Sequence, residues 1–115
     1  MIAIKPISVN DCFQGRRFKT KEFKEWQKSV IDELWLTARL TRAEVPAKWE
    51  KIELHLRFYL KYPLLSDTDN YEKPLIDCLK QSGWIKDDRY IFKIIAEKFQ
   101  SKKEGLHFIL KEYKK

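Results

Sequence analysis

Asp67 and Asp69 stand two residues apart in S-D-T-D-N. Asn70 is next, Lys73 follows one helical turn later, and Asp87 and Asp88 form a second acidic pair. Paired carboxylates near a lysine are the residue types that hold a hard cation against a phosphodiester. If residues 65–69 are extended, Asp67 and Asp69 point to one face, about 7 Å apart at the backbone. Mg²⁺ takes oxygen ligands, often one or two carboxylates together with phosphate and water. The spacing therefore predicts a divalent-metal site at the start of a helix, suited to phosphodiester hydrolysis.

The elements around these residues must bring them together. Asn70 or Asp69 can cap the following helix, and Asp69 with Glu72 fits a variant of the capping box. A helix over 71–82 is about 18 Å long, and Gly83 supplies its stop. Residues 84–88, if extended, span about 17 Å, enough to return Asp88 to the helix N-terminus. That N-terminus also favours phosphate through its free N–H groups and dipole. On its own, D-x-D-N before a helix serves equally as a capped turn, and Lys73 with Asp77 as an i,i+4 pair on a solvated face.

The rest of the chain reads as a small α+β domain. Residues 2–7 are expected to form a short strand, with Pro6 near its end or on an edge. Residues 8–20 form a loop in which Asn10, Arg16, Arg17 and Lys19 are interleaved with Phe13 and Phe18. Cations for phosphates and rings for bases or sugars suit nucleic acid, and a solvated loop pinned by two core phenylalanines is the plainer alternative. Thr20 is a good N-cap for a helix to about Leu40, with Phe23, Trp26, Val30, Ile31, Leu34 and Ala38 as its core stripe. Trp35 and Leu36 fall outside that stripe and are candidates for a subunit contact. Strict alternation over 52–61 predicts a half-buried strand. Residues 89–98 and the stretch L-H-F-I-L-K-E-Y read as two more strands, expected to form an antiparallel hairpin around a basic loop carrying Lys102 and Lys103. The order β-α-β-α-β-β predicts a mixed sheet of about four strands with two helices packed on it, in a single domain over 1–115.

A chain of 115 residues, 43% apolar and 14% aromatic, can bury a real core. Its net charge of +7 and pI near 9.4 favour an anionic partner. Cys12 and Cys78 lie far apart without C-x-x-C spacing, as free thiols in a reducing compartment do. His55 and His107 fall in expected strands and are not read as ligands. No stretch suits a membrane span or a signal peptide, so the expected location is cytoplasmic.

The order of these residues resembles the RusA family of Holliday junction resolvases, metal-dependent endonucleases of about this length. The family pattern D-x-D-N-x-x-K, then D-x-L, a glycine and D-D, stands here as Asp67, Asp69, Asn70, Lys73, Asp77, Leu79, Gly83, Asp87 and Asp88. Upstream, Pro6, Ser8 and Asn10, followed by Arg16, Arg17, Lys19 and Thr20, give a second match, and Lys98 a third. The resemblance spans nearly the whole chain. It implies three catalytic carboxylates, at Asp67, Asp69 and Asp88, and a catalytic lysine, at Lys73. Some members carry arginine just before the first aspartate as a DNA contact. Ser66 stands there in this chain, which bears on junction selectivity more than on chemistry.

The resulting expectation is a Mg²⁺-dependent endonuclease for four-way and other branched DNA, with Mn²⁺ able to substitute, acting as a homodimer. Asp67, Asp69 and Asp88 would hold the metal and Lys73 would stabilise charge on the phosphate. Asn70, Asp77 and Asp87 would support them, and Asn10, Arg16, Arg17, Lys19, Lys98, Lys102 and Lys103 would contact DNA. Two rivals are a basic DNA-binding module without catalysis and a metal-dependent phosphoesterase acting on nucleotides or flaps.

Overall fold

A computed structural model describes residues 2–14, 18–43 and 45–114. A two-residue hairpin, β1 (Phe13–Gln14) with β2 (Phe18–Lys19), precedes helix α1 (Lys21–Thr41). The Thr20 hydroxyl caps α1 by accepting from the Phe23 N–H at 3.1 Å. The helix ends where Arg42 turns left-handed, φ 53°. Phe23, Gln27, Val30 and Leu34 form its buried stripe, with Trp26, Ile31 and Ala38 packed at the margin. That is the face predicted from the 3.6-residue period, with Gln27 added.

Strand β3 (Ile52–Leu60) is the centre of a three-stranded sheet. Its alternation sends Ile52, Leu54, Leu56, Phe58 and Leu60 into the core. Helix α2 (Asp69–Gln81) then crosses back over this face, and β4 (Ile91–Gln100) pairs parallel to β3. A parallel neighbour requires such a crossover. β5 (Gly105–Glu112) pairs antiparallel on the other side of β3.

The sheet corrects two expectations. β4 and β5 are not hairpin neighbours, because β3 lies between them. Their connection passes over the end of β3, where the Ser101 N–H donates to the Leu60 carbonyl at 2.8 Å. Residues 2–7 do not form a fourth strand. They make a single bridge, Ile2 to Leu106, with both hydrogen bonds at 2.8 Å. Pro6 has no N–H to extend a ladder. The segment is held instead by α1, whose Trp26 indole N–H donates to the Lys5 carbonyl at 2.7 Å.

Helix α2 begins two residues earlier than expected and without the predicted cap. Thr68 precedes it in αR conformation and makes no side-chain cap bond. Backbone bonds from the Asn70 N–H to Asp67 and from the Tyr71 N–H to Thr68, both 3.1 Å, carry the chain into the helix as a turn. Residues 65–69 are therefore not the extended stretch first assumed. Pro74, inside the helix, is buried against the core. At the far end Gly83 (φ 86°) closes a Schellman pair, Trp84 N–H to Leu79 at 2.9 Å and Gly83 N–H to Lys80 at 3.2 Å. The Trp84 indole then donates to the Leu34 carbonyl of α1 at 3.1 Å, tying the two helices. Cys12 and Cys78 are buried free thiols, pushed up to about 11 and about 12 mainly by burial.

One half-buried group opposes its surroundings. His107 of β5 has a buried Nδ1 with no hydrogen-bond partner among the described residues. Burial lowers its pKa, and Arg57, directly across on β3, adds to the effect. The fold thus favours the neutral ring. Its contribution is complete above the unfolded value, about 6.5, and declines below it as the unfolded chain takes up the proton first. His107→Leu is expected to raise the melting temperature, by more at about pH 5 than at about pH 8. Thermal denaturation followed by circular dichroism checks this, and a lower melting temperature at both pH values would mean the ring makes a contact the fold needs.

Candidate active site

The first turns of α2 place Asp69, Glu72, Lys73, Ile76 and Asp77 at steps of three, one, three and one. These residues share one helix face. That face lines a cleft of about 270 Å³, closed on the opposite side by Asp88, Ile91 and Ile94. Asp69 and Asp88, from separate elements, thus line one cleft with Lys73, Glu72 and Asp77 over an apolar floor. Residues 84–86 bend rather than run straight, yet they still return Asp88 to α2.

Each acid has a distinct setting. Asp88 begins a 3₁₀ turn that leads into β4. Asp87 caps that turn, accepting from the Arg89 N–H at 3.4 Å, and pairs with Lys80 at 3.8 Å. A hydrogen bond with the Asp88 side chain, and then that Arg89 N–H, hold the Asp87 carboxyl below the usual range. Burial, and then the charge of Asp69, push Glu72 above its ordinary value. Glu72 was read only as a capping residue, although its i,i+3 spacing from Asp69 marks it for the same face. Asp67 is exposed in the turn before α2 and is not one of the cleft-lining residues. Asn70 is half-buried beside it. No three His, Cys, Asp or Glu side chains among the described residues form a ready-made cation cage.

Lys98 of β4 holds the turn that leads to Asp67. Its ammonium donates to the Pro63 carbonyl at 2.7 Å and to the Ser66 carbonyl at 2.9 Å. It thereby clamps the 3₁₀ turn Pro63–Leu65 that delivers the chain to Asp67.

The remaining predicted DNA contacts are dispersed. Asn10 lies in a 3₁₀ turn with its N–H bonded to the Ser8 hydroxyl at 3.3 Å. The Lys19 ammonium donates to Gln27 at 3.1 Å and stands 5.4 Å from the Phe23 ring centroid. Lys102 and Lys103 are exposed on the β4–β5 connection. Arg16 and Arg17 lie outside the described residues.

A second groove, about 540 Å³, was not anticipated. Lys51, Lys86, Arg89, Trp49, Tyr90 and Phe92 contribute to its walls. The Lys51 ammonium lies 5.3 Å from the Phe92 ring, and the Arg89 guanidinium 5.0 Å from the Tyr90 ring. Arg89 immediately follows Asp88, so this basic groove begins where the acidic cleft ends. The signal was present as bases beside aromatics in W-E-K and K-D-D-R-Y-I-F, but residues 89–98 read only as a strand. A mainly apolar cleft of about 550 Å³ between α1, residues 47–49 and β5 gathers no such pair of acids with a lysine.

The profile of the family described as Endodeoxyribonuclease RusA matches residues 12–110. The chain belongs to the RusA endodeoxyribonuclease family. It is an endodeoxyribonuclease whose family acts on Holliday junctions. The RusA match takes in α1, the whole acidic cleft and nearly all of the sheet, and begins after Asn10. No individually curated protein matches the chain. Among the described residues no helix is long and apolar enough to cross a membrane.

Proposed function

We propose that this RusA-family protein is a Mg²⁺-dependent resolvase of four-way DNA junctions, acting in recombination and repair in the cytoplasm, with Mn²⁺ able to substitute. The observation that carries the reading is the cleft where Asp69 and Lys73 of α2 face Asp88. Its donors are carboxylate oxygens, the chemistry a hard cation takes. A bound cation would supply an acidified water and neutralise charge on the scissile phosphate. Asp67, Asp69 and Asp88 would hold it, and their exposure leaves their rotamers free to turn inward. Lys73 places its ammonium on the phosphate or the departing oxygen. Asn70 and Asp77 support this face, and Asp87 braces the turn that aims Asp88. DNA arms would run from Asn10, Arg16, Arg17 and Lys19 on one side and along the Lys51, Lys86 and Arg89 groove on the other, with Lys102 and Lys103 beyond.

Paired cuts at a near two-fold junction call for two sites, so a homodimer is proposed. Trp35 and Leu36, 53% and 47% exposed, remain the proposed contact, joined by Leu40 at 75%, with the Trp35 indole N–H bonded to the Ser82 carbonyl at 3.1 Å. Four-way, three-way, flap and linear DNA should be offered with Mg²⁺ or with EDTA. Symmetric paired nicks in the four-way DNA alone, and only with Mg²⁺, are expected. Equal cutting of linear duplex, or cutting in EDTA, would overturn the reading.

A further inference from the structure

Between the end of β3 and Asp67 the chain carries Tyr62, Leu64 and Leu65, which are 71%, 93% and 81% exposed. An apolar tip this exposed is unusual for a surface turn. It is also held in place. The Lys98 ammonium binds the carbonyls of Pro63 and Ser66, on either side of the two leucines. The base of the tip is fixed as well, by Ser101 N–H to Leu60 at 2.8 Å and Lys61 N–H to Glu104 Oε2 at 3.4 Å. The same two bonds hold the 101–104 connection, which carries Lys102, Lys103 and Glu104, at the base of the tip.

We propose that Leu64 and Leu65, with Tyr62, are a wedge that enters the branch point of the DNA and unstacks the base step next to the scissile phosphate. The inference rests on the DNA-cleaving reading of the cleft. Three observations commit the tip to DNA. It ends two residues before Asp67, so whatever it touches adjoins the reacting phosphate. Lys61 leads into the tip, and the connection held at its base carries Lys102 and Lys103, all three exposed cations available to phosphates. Apolar side chains inserted between base pairs are an established way for proteins to unstack and kink DNA. A branch point is where unstacking costs least. Lys98 is then a positioning residue, whose two bonds keep the tip from collapsing when the leucines meet bases.

The test uses a four-way junction with 2-aminopurine beside the branch, in EDTA so that nothing is cut. Wild-type protein should raise the fluorescence on binding. Leu64→Ser with Leu65→Ser, at two exposed positions, should bind within about threefold of wild type, lose the fluorescence rise and cut at least about tenfold more slowly with Mg²⁺. A junction with mismatched bases at the branch should restore much of that rate, because the step is already open. Lys98→Met should show the same loss of fluorescence with a smaller loss of binding than of cutting. An unchanged fluorescence rise in the double variant would overturn the wedge, and so would a failure of the mismatched junction to rescue it. Sedimentation distinguishes the rival occupant: if the double variant is a monomer where wild type is a dimer, the tip is a contact between copies. A wild-type protein that raises fluorescence in EDTA but never cuts would instead count against the metal site alone.

Discussion

Asp88→Asn and Asp69→Asn should each reduce four-way junction cleavage by about a thousandfold or more, while binding in EDTA is kept or tightened. Asparagine keeps the shape of the side chain and removes the charge. A hard cation loses an anionic ligand, and the DNA loses a repulsive carboxylate. The loss should have a second signature without DNA. Mg²⁺ bound only by the folded protein raises its melting temperature, and either substitution should abolish most of that rise. Asp67→Asn is the discriminating member of the set, because Asp67 stands outside the residues that line the cleft. Full activity and a normal Mg²⁺ effect in that variant would reduce the metal site to Asp69 and Asp88, with Glu72 the nearest replacement.

Lys73→Ala should slow cleavage by about a hundredfold with little change in melting temperature. The side chain is exposed on the cleft face, away from Leu75 and Leu79 in the core. Removing it should therefore leave packing intact and delete only a charge aimed at the phosphate. Single-turnover rates should fall more than junction affinity does, since the contact strengthens as the departing oxygen gains charge. Lys73→Arg should not restore the rate, because a planar fork cannot take the place of a compact ammonium. Normal cutting by Lys73→Ala would return the lysine to the solvated helix face.

Local chemistry was legible from the residues alone. The Thr20 cap was legible because its hydroxyl accepts from an N–H only three residues on, although the same hydroxyl also donates to the Asp11 carbonyl at 2.7 Å. The alternation of 52–60 required an apolar face, and that face is the core. Gly83 ends α2 because only a residue at ease with positive φ fits there. The acids and lysine of the cleft were visible as types and spacing, and their order marked the family.

Tertiary structure decided what depends on neighbours distant in sequence. Alternation says which face of a strand is buried but not which strand lies beside it, so β3 entering between β4 and β5 was beyond reach. Whether residues 2–7 formed a strand turned on Pro6 and on the grip of Trp26, not on their apolar content. The start of α2 was set by the turn that feeds it, which displaced the expected side-chain cap. Lys98 stood out in the sequence as a family match and an expected DNA contact, but its hold on the Pro63 and Ser66 carbonyls was not legible, because they are on a turn more than thirty residues earlier. Composition and period record what a residue prefers locally. The return of Asp88 toward Asp69 could be foreseen from the length of residues 84–88, but only the folded chain brings Lys98 of β4 to the carbonyls of the turn after β3.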